Sequence, residues 1–216
     1  MSIELEIHDA YGILGYYSRL HENIASWKLG GTNNSAGAAG CPSLVTLGFI
    51  LDRDCNRFEE LETSNFPDDH FEVEVAVKLT EDLLKATSAQ QMSSIELQLF
   101  LALECPRFDA SLGKLNSISG EILKNCSSGT IHISHDTIAL LRLTRELIGN
   151  NKIEFIGLKK SLSEIVWDFL EMSRIYDLNV KPGQFLSTGG LTPLILKKTL
   201  IKICRDKSGH YIFDLV

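Results

Sequence analysis

An Asp-x-Asp pair, Asp52 and Asp54, is the pattern in this sequence best suited to chemistry. It directly follows an apolar run, residues 44–51, that predicts a strand buried on both faces. Two carboxylates two residues apart point the same way while the chain stays extended, and ligands of α/β folds sit at the carboxyl ends of parallel strands. The pair suits a hard divalent cation such as Mg²⁺ or Mn²⁺, whereas the plain alternative is a polar turn.

The region around this pair resembles the TOPRIM domain, in particular that of the overcoming-lysogenization-defect type of nuclease. The resemblance spans about residues 3–56 and rests on an acidic first segment, a helix, a strand ending in two glycines, a small-residue stretch and the apolar strand before Asp52. It implies Mg²⁺-dependent phosphoryl transfer, with Asp52, Asp54 and Glu6, or Glu4 in place of Glu6, as metal ligands and catalytic residues. That family normally has Gly after the glutamate, where this chain has isoleucine.

A basic segment near the C-terminus supplies candidates for binding the phosphate backbone of a nucleic acid. Thr192-Pro193 predicts the start of a helix, because proline suits the first helical position. The basic residues in and after this helix are Lys197, Lys198, Lys202, Arg205 and Lys207. Apolar residues cover much of the same helix, so the alternative is that these side chains extend to solvent from a packed helix.

A second cluster, His132-x-x-His135-Asp136, places two imidazoles and a carboxylate close together along the chain. This permits a metal site or a general base. The spacing crosses a predicted strand-to-helix junction, where Ser134 can cap the helix and the charge of Asp136 favours its N-terminus. The sequence therefore favours a structural role for the cluster.

Periodicity predicts a mixed α/β fold, with an N-terminal strand-helix-strand sheet followed by a helix-rich C-terminal portion. Residues 71–79 alternate strictly, which predicts a strand whose solvent face carries Glu72 and Glu74. Residues 30–40 and 181–190 predict loops because of their glycines and small residues. Strands are predicted at residues 3–7, 25–29, 44–51, 71–79, 95–103, 130–133 and 210–216, with a helix as the alternative for 96–103.

Helices are predicted from the 3.6-residue period and from capping signals. They cover residues 8–20, 80–89, 119–124 and 134–148, and two more begin at Ser161 or Ser163 and at Thr192. We expect either a TOPRIM-like portion at residues 1–66 followed by a mixed portion at 67–216, or a single domain.

Composition excludes disordered and collagen-like proteins, since 44% of the 216 residues are hydrophobic and 23% are charged. A chain of this length can bury a core without metals or disulfides, so any metal would be functional. The net charge of −7 argues against indiscriminate nucleic-acid binding. The charge is uneven, because residues 1–108 carry 7 basic and 17 acidic residues and the rest carry 14 and 11.

Five scattered cysteines without a Cys-x-x-Cys pair indicate reduced thiols, as in the cytosol. The N-terminus lacks the basic start and apolar block of a signal peptide, and no apolar stretch approaches the roughly 20 residues needed to span a bilayer. We therefore expect a soluble cytoplasmic protein.

Two functional hypotheses follow from these patterns. The first is a Mg²⁺-dependent, TOPRIM-like phosphodiesterase or nuclease acting on nucleic acid phosphates. The alternative is a non-enzymatic acidic interaction protein, of the inhibitor or immunity type, that binds a basic protein. The alternative depends on the net charge, on the wet strand face of Glu72 and Glu74, and on the acidic residues between 59 and 69.

Overall fold

The fold is a mixed α/β arrangement around one large mixed sheet, as the sequence predicts. The computed structural model describes residues 3–33, 45–66, 70–107, 122, 125–149, 153–196, 201–206 and 211–215. The sheet follows the order β2-β1-β8-β5-β6-β7-β3, with β9 added to one end of β5. Its strands are β1 (Ile24–Gly30), β2 (Thr46–Leu51), β3 (Cys55–Phe58), β5 (His70–Lys78), β6 (Leu99–Cys105), β7 (Thr130–Thr137), β8 (Phe185–Gly190) and β9 (Ile195–Leu196).

A smaller sheet and the helices pack around the large sheet. The smaller sheet contains β4 (Leu61–Glu62), β10 (Ile201–Arg205) and β11 (Tyr211–Leu215), in the order β11-β10-β4. The helices of the described residues are α1 (Ile3–Leu20), α2 (Glu81–Lys85), α3 (Ala89–Ser93), α4 (Leu140–Gly149) and α5 (Leu162–Ile175). Two of the predicted helix starts are confirmed, since Thr80 caps α2 and Ser161 forms a capping box with Glu164 at the start of α5.

The large sheet curls, and residues alternate between its concave and convex faces. The concave face holds an apolar cluster of Ile50, Ala76, Phe100, Ala102, Ile131, Ile133 and Phe185. The convex face carries two further clusters, one beneath α1 and α5 and one beneath α4 and the smaller sheet. The strand with the predicted alternation, β5, therefore has both faces inside the protein.

The N-terminal segment corrects one prediction, because residues 3–7 lie in α1 and do not form a strand. The apolar positions Ile7, Ala10, Tyr11 and Leu14 form a stripe at helical spacing and are buried against the convex cluster. Ile3 and Ile7 are four residues apart, so the two-residue alternation of this segment also fits the next turn of the same helix.

The C-terminal part corrects another prediction, because it is not helix-rich. The helix predicted from Thr192 is wrong, since this region contains β9 and β10. The loop predicted for residues 181–190 contains β8, a strand whose residues are all buried. The helix predicted for residues 134–148 starts only at Leu140. The helix predicted for residues 119–124 lies largely outside the described residues.

Extension of β7 to Thr137 explains the arrangement of the histidine cluster. The ring of His132 stacks on that of Phe66 with 4.6 Å between centroids, and its Nε2 is buried with no hydrogen-bond partner in the described part of the chain. His135 is exposed, and Asp136 forms an ion pair with Arg205. The predicted helix start at Ser134 is therefore wrong, and the three side chains make separate contacts.

Two further features concern membrane-spanning helices and disulfide bonds. None of the described helices is long and apolar enough to cross a membrane. Cys55, Cys105, Cys126 and Cys204 form no disulfide, and Cys41 lies outside the described residues.

We expect His132 to make folding stability fall as the pH is lowered. Burial lowers the pKa of this imidazole from 6.5 to about 4, so the unfolded chain binds a proton first and stability is lost from pH 6.5 downwards. At pH 4.5 the loss attributable to His132 should be about 2 kcal/mol. Urea unfolding of the wild type and of His132→Phe at pH 7 and pH 4.5 measures this loss as the difference between the two proteins. An equal loss in both would contradict the assignment.

Candidate metal centre

Three glutamates converge on the concave face of the large sheet. Glu72 and Glu74 are two residues apart on β5, so they share a face, and Glu72 lies directly opposite Glu104 of the antiparallel strand β6. One carboxylate oxygen of each residue lies within 4.8 Å of the other two. Glu74 and Glu104 are fully buried, whereas Glu72 is half-buried. The carboxylate cluster, as we call these three residues, is thus open to solvent only on the side of Glu72.

Two further side chains contact the carboxylate cluster from neighbouring strands. Lys28 of β1 forms an ion pair with Glu104, and the two side chains are 6% and 0% exposed. Ser187 of β8, which is paired in register with Lys28, donates its hydroxyl hydrogen to Glu74. Two strands separate β1 from β6 in the sheet, so the ion pair crosses the concave interior. The sheet must curl for it to form.

Glycine makes the space that the carboxylate cluster needs. A Cβ atom on Gly190, the last residue of β8, would collide with the Glu72 carboxylate and with the backbone of Thr192. Gly189 has a φ of +93°, which side chains rarely adopt, and a Cβ there would collide with Thr32. Two of the three glycines that make residues 181–190 look like a loop are therefore required for close packing beside the cluster.

The electrostatics of the carboxylate cluster are strongly perturbed. Burial, followed by the negative charge of Glu104, raises the pKa of Glu72 to about 7. The pKa of Glu74 is raised well above its ordinary value by burial and by the charges of Glu104 and Glu72. Burial alone would lower the pKa of Lys28, but the surrounding negative charges, led by Glu104, outweigh it and raise that pKa. Full ionisation would place three negative charges beside the single positive charge of Lys28, so the metal-free cluster retains protons.

The donor set fits a divalent metal ion. Oε1 of Glu74 and Oε2 of Glu104 are buried, and neither has a hydrogen-bond partner among the described residues. Carboxylate oxygens are the ligands that Mg²⁺, Ca²⁺ and Mn²⁺ prefer, and a buried carboxylate oxygen without a partner is costly unless something else binds it. This is also the one group of three such ligands that the described part of the chain brings together.

The structure does not bring the predicted metal ligands together in such a group. Glu6 is exposed on α1, because the segment that carries it is helical. Asp52 and Asp54 lie on a single 3₁₀ turn directly after β2, where Asp52 is exposed and Asp54 is ion-paired with Arg53 at 3.4 Å. The polar turn that the sequence left as the plain alternative is therefore present, and the metal and catalytic roles of these residues stay predictions.

The predicted nucleic-acid-binding residues lie on a strand where they are described. Lys202 and Arg205 belong to β10 of the smaller sheet, and their odd spacing directs the two side chains to opposite faces of the strand. Arg205 is ion-paired with Asp136. Lys197, Lys198 and Lys207 lie outside the described residues.

Sequence reasoning missed Lys28, Glu104 and the role of Glu72 and Glu74. The alternation of residues 71–79 places the glutamates on one face, but the curl that buries this face depends on distant strands. A usable signal exists, because Lys28 and Glu104 are single charged residues in otherwise mostly apolar strands. Charged residues are almost never fully buried unless they are paired, so two of opposite sign in buried strands indicate a contact.

Comparison with known proteins supports the fold alone. No family model matches the sequence, and no curated protein matches it. The chain is similar to the solved structure of 4-oxalocrotonate decarboxylase from Pseudomonas putida G7 complexed with magnesium and adipate, with a TM-score of 0.64 and 15% identity over 99% of this chain and 85% of the other. The same enzyme complexed with calcium and acetate gives 0.62 and 16% with the same coverage.

Replacing Glu72 with Gln should stabilise the metal-free protein at alkaline pH. The folded-state pKa of about 7 exceeds the ordinary 4.5, so the folded state holds its proton longer and stability is lost as the pH rises from 4.5 through 7. Between pH 5 and pH 8 the loss due to Glu72 should be about 2.5 kcal/mol. Urea unfolding in EDTA at pH 5 and pH 8 should show a smaller loss for Glu72→Gln than for the wild type. Parallel losses would mean that Glu72 ionises normally.

Proposed function

We propose that the protein is a divalent-metal-dependent enzyme that decarboxylates a small oxo-dicarboxylic acid. The observation that carries this proposal is the carboxylate cluster of Glu72, Glu74 and Glu104 with Lys28 beside it. The similar structures hold magnesium or calcium together with a carboxylate, and one of these carboxylates is the dicarboxylate adipate. Their fold matches almost the whole chain, which supports a shared type of site on the same scaffold.

Glu72, Glu74 and Glu104 would hold the metal ion. A bound divalent cation supplies Lewis acidity, which polarises a carbonyl oxygen of the substrate. Burial of Glu74 and Glu104 reduces the screening of their charge by water, which would strengthen their attraction for a bound cation. The half-buried Glu72 lies on the side from which the ion and substrate can enter.

Lys28 is the group beside the carboxylate cluster to which we assign proton transfer. In decarboxylation the bond between carbon and the departing carboxylate breaks, its electron pair shifts towards the carbonyl oxygen, and a proton is then added to carbon. The ammonium of Lys28 can attract the substrate carboxylate, and it could donate that proton once a bound cation offsets the negative charges that raise its pKa. Glu104 fixes its position in the metal-free state by the ion pair.

The nuclease hypothesis has less support, because Glu6, Asp52 and Asp54 do not converge. One basis of the interaction-protein hypothesis is corrected, since Glu74 is fully buried and Glu72 half-buried, so this is not a solvent-exposed strand face. Its other two bases, the net charge and the acidic residues between 59 and 69, remain, and the hypothesis stays a prediction. The proposed enzyme keeps the part of the first hypothesis that concerns Mg²⁺ or Mn²⁺.

Mg²⁺ or Mn²⁺ should stabilise the wild type but neither Glu72→Gln nor Glu74→Gln. Stabilisation should reach about 2.7 kcal/mol at a hundredfold excess of metal over its dissociation constant, because the ion binds only the folded state. Thermal unfolding in EDTA and then in millimolar metal measures it. Glutamine keeps the shape of the protonated side chain, so the variants should fold.

The matched control is the double variant Asp52→Asn/Asp54→Asn, which tests the other candidate metal site. It should keep the full metal response. If this variant loses the response and the glutamate variants keep it, the proposal is wrong and the ion binds at the 3₁₀ turn.

Lys28→Met should abolish decarboxylation while metal binding is kept or strengthened. Loss of a positioned proton donor lowers rates by about 10²- to 10⁴-fold, and removal of a competing positive charge favours the cation. Carbon dioxide release from 4-oxalocrotonate by the Mg²⁺-loaded protein measures activity, and Lys85→Met, which removes an exposed lysine, is the control. Wild-type activity in Lys28→Met would exclude this role.

A further inference from the structure

The large sheet has a second opening, at the end opposite the carboxylate cluster. An open cavity of about 460 Å³ lies there, between the start of β1, the end of β2, the start of β3 and the segment before β8. Four charged residues line it, namely Glu22, Asp52, Arg57 and Lys181. Phe185 of the concave apolar cluster lines this distal cavity, whereas Lys28 and the three glutamates do not.

Arg57 is held in a fixed position at the distal cavity. Its guanidinium lies over the rings of Phe100 and Phe185, at 5.3 and 5.1 Å from their centroids. Its Nη2 donates to the carbonyl oxygens of Ser134 and His135, at 2.6 and 3.0 Å. No hydrogen bond to a described residue uses Nε or Nη1, so donors of a preorganised guanidinium remain for a ligand.

The four charged side chains that line the cavity are not neutralised within the described part of the chain. No ion pair there joins Arg57 or Lys181 to Asp52 or Glu22. Their formal charges cancel, which disfavours a polyanion or a polycation as the occupant. A molecule with one charge of each sign can contact both kinds of group at once.

We propose that the distal cavity binds a small zwitterion of the amino acid type. Its carboxylate lies against the free edge of the Arg57 guanidinium, with Lys181 adding positive charge. Its ammonium group faces Asp52 and Glu22. Planar guanidinium donors match a carboxylate, and the apolar floor formed by Phe185 and Ile24 suits the carbon atoms between the two charges. This site does not depend on the metal centre.

Ligand-induced thermal stabilisation in EDTA tests the proposal, with the standard amino acids added one at a time at millimolar concentration. At least one should raise the melting temperature of the wild type. Its analogues without the amino group or without the carboxylate should bind more weakly. Arg57→Gln should weaken binding about tenfold or more, the effect of losing a hydrogen bond to a charged group. Arg53→Gln, which removes an arginine outside the cavity, is the matched control.

A second variant, Asp52→Asn, tests the proposal even if Arg57→Gln fails to fold. It should fold normally, because the Asp52 side chain makes no hydrogen bond to a described residue. Asp52→Asn should weaken binding of the amino acid and leave binding of the analogue without an amino group unchanged. Asp54→Asn is its control. Absence of any response in the wild type overturns the proposal, as does equal binding by Arg57→Gln and wild type. Loss of the response in Glu74→Gln alone would place the ligand at the carboxylate cluster, and would also overturn it.

Discussion

The ion pair between Lys28 and Glu104 joins two distant strands across the concave face, and the same curl of the sheet that allows this pair also brings the carboxylate cluster together. Charges buried this deeply are expensive to remove from water, and removing one partner leaves the other uncompensated. Strands β1 and β6 must therefore face each other across the interior. Such a pair contributes little net stability, so its presence in the core favours a role in chemistry over a role in folding.

Several strands were predictable because their local pattern agrees with their final environment. The alternation around Phe71 and Val75 and the apolar run before Asp52 survive in β5 and β2. The strand predicted for the segment of Ile3 is wrong, since a short alternation of apolar and charged residues fits one face of a helix as well. The strand Phe185–Gly190 was not predicted, and the reason is physical. Close packing against Glu72 requires glycine at the end of this strand, whereas glycine in a sequence otherwise predicts a loop.

The carboxylate cluster could not be predicted from spacing along the chain. Glu72 and Glu74 form an acidic pair like Asp52 and Asp54, and both pairs are next to or within a strand. What separates them is the partner strand, because β6 brings Glu104 opposite Glu72, whereas Asp52 and Asp54 lie on a turn where the strand has ended. Long-range pairing thus decides which acidic pair is buried and gains a third carboxylate.

The carboxylate cluster places stability and function in opposition. Burial and mutual repulsion raise the pKa values of Glu72 and Glu74, so the metal-free protein neutralises part of the cluster with protons. A divalent cation at the proposed site would compete with those protons for the same oxygens, and its apparent affinity would therefore rise as the pH rises through about 7. Lys28 limits the competition, because its positive charge offsets part of the repulsion without occupying the buried oxygens of Glu74. The same lysine thus reduces the electrostatic cost of the metal-free cluster to folding and leaves the buried Glu74 oxygen available to an ion.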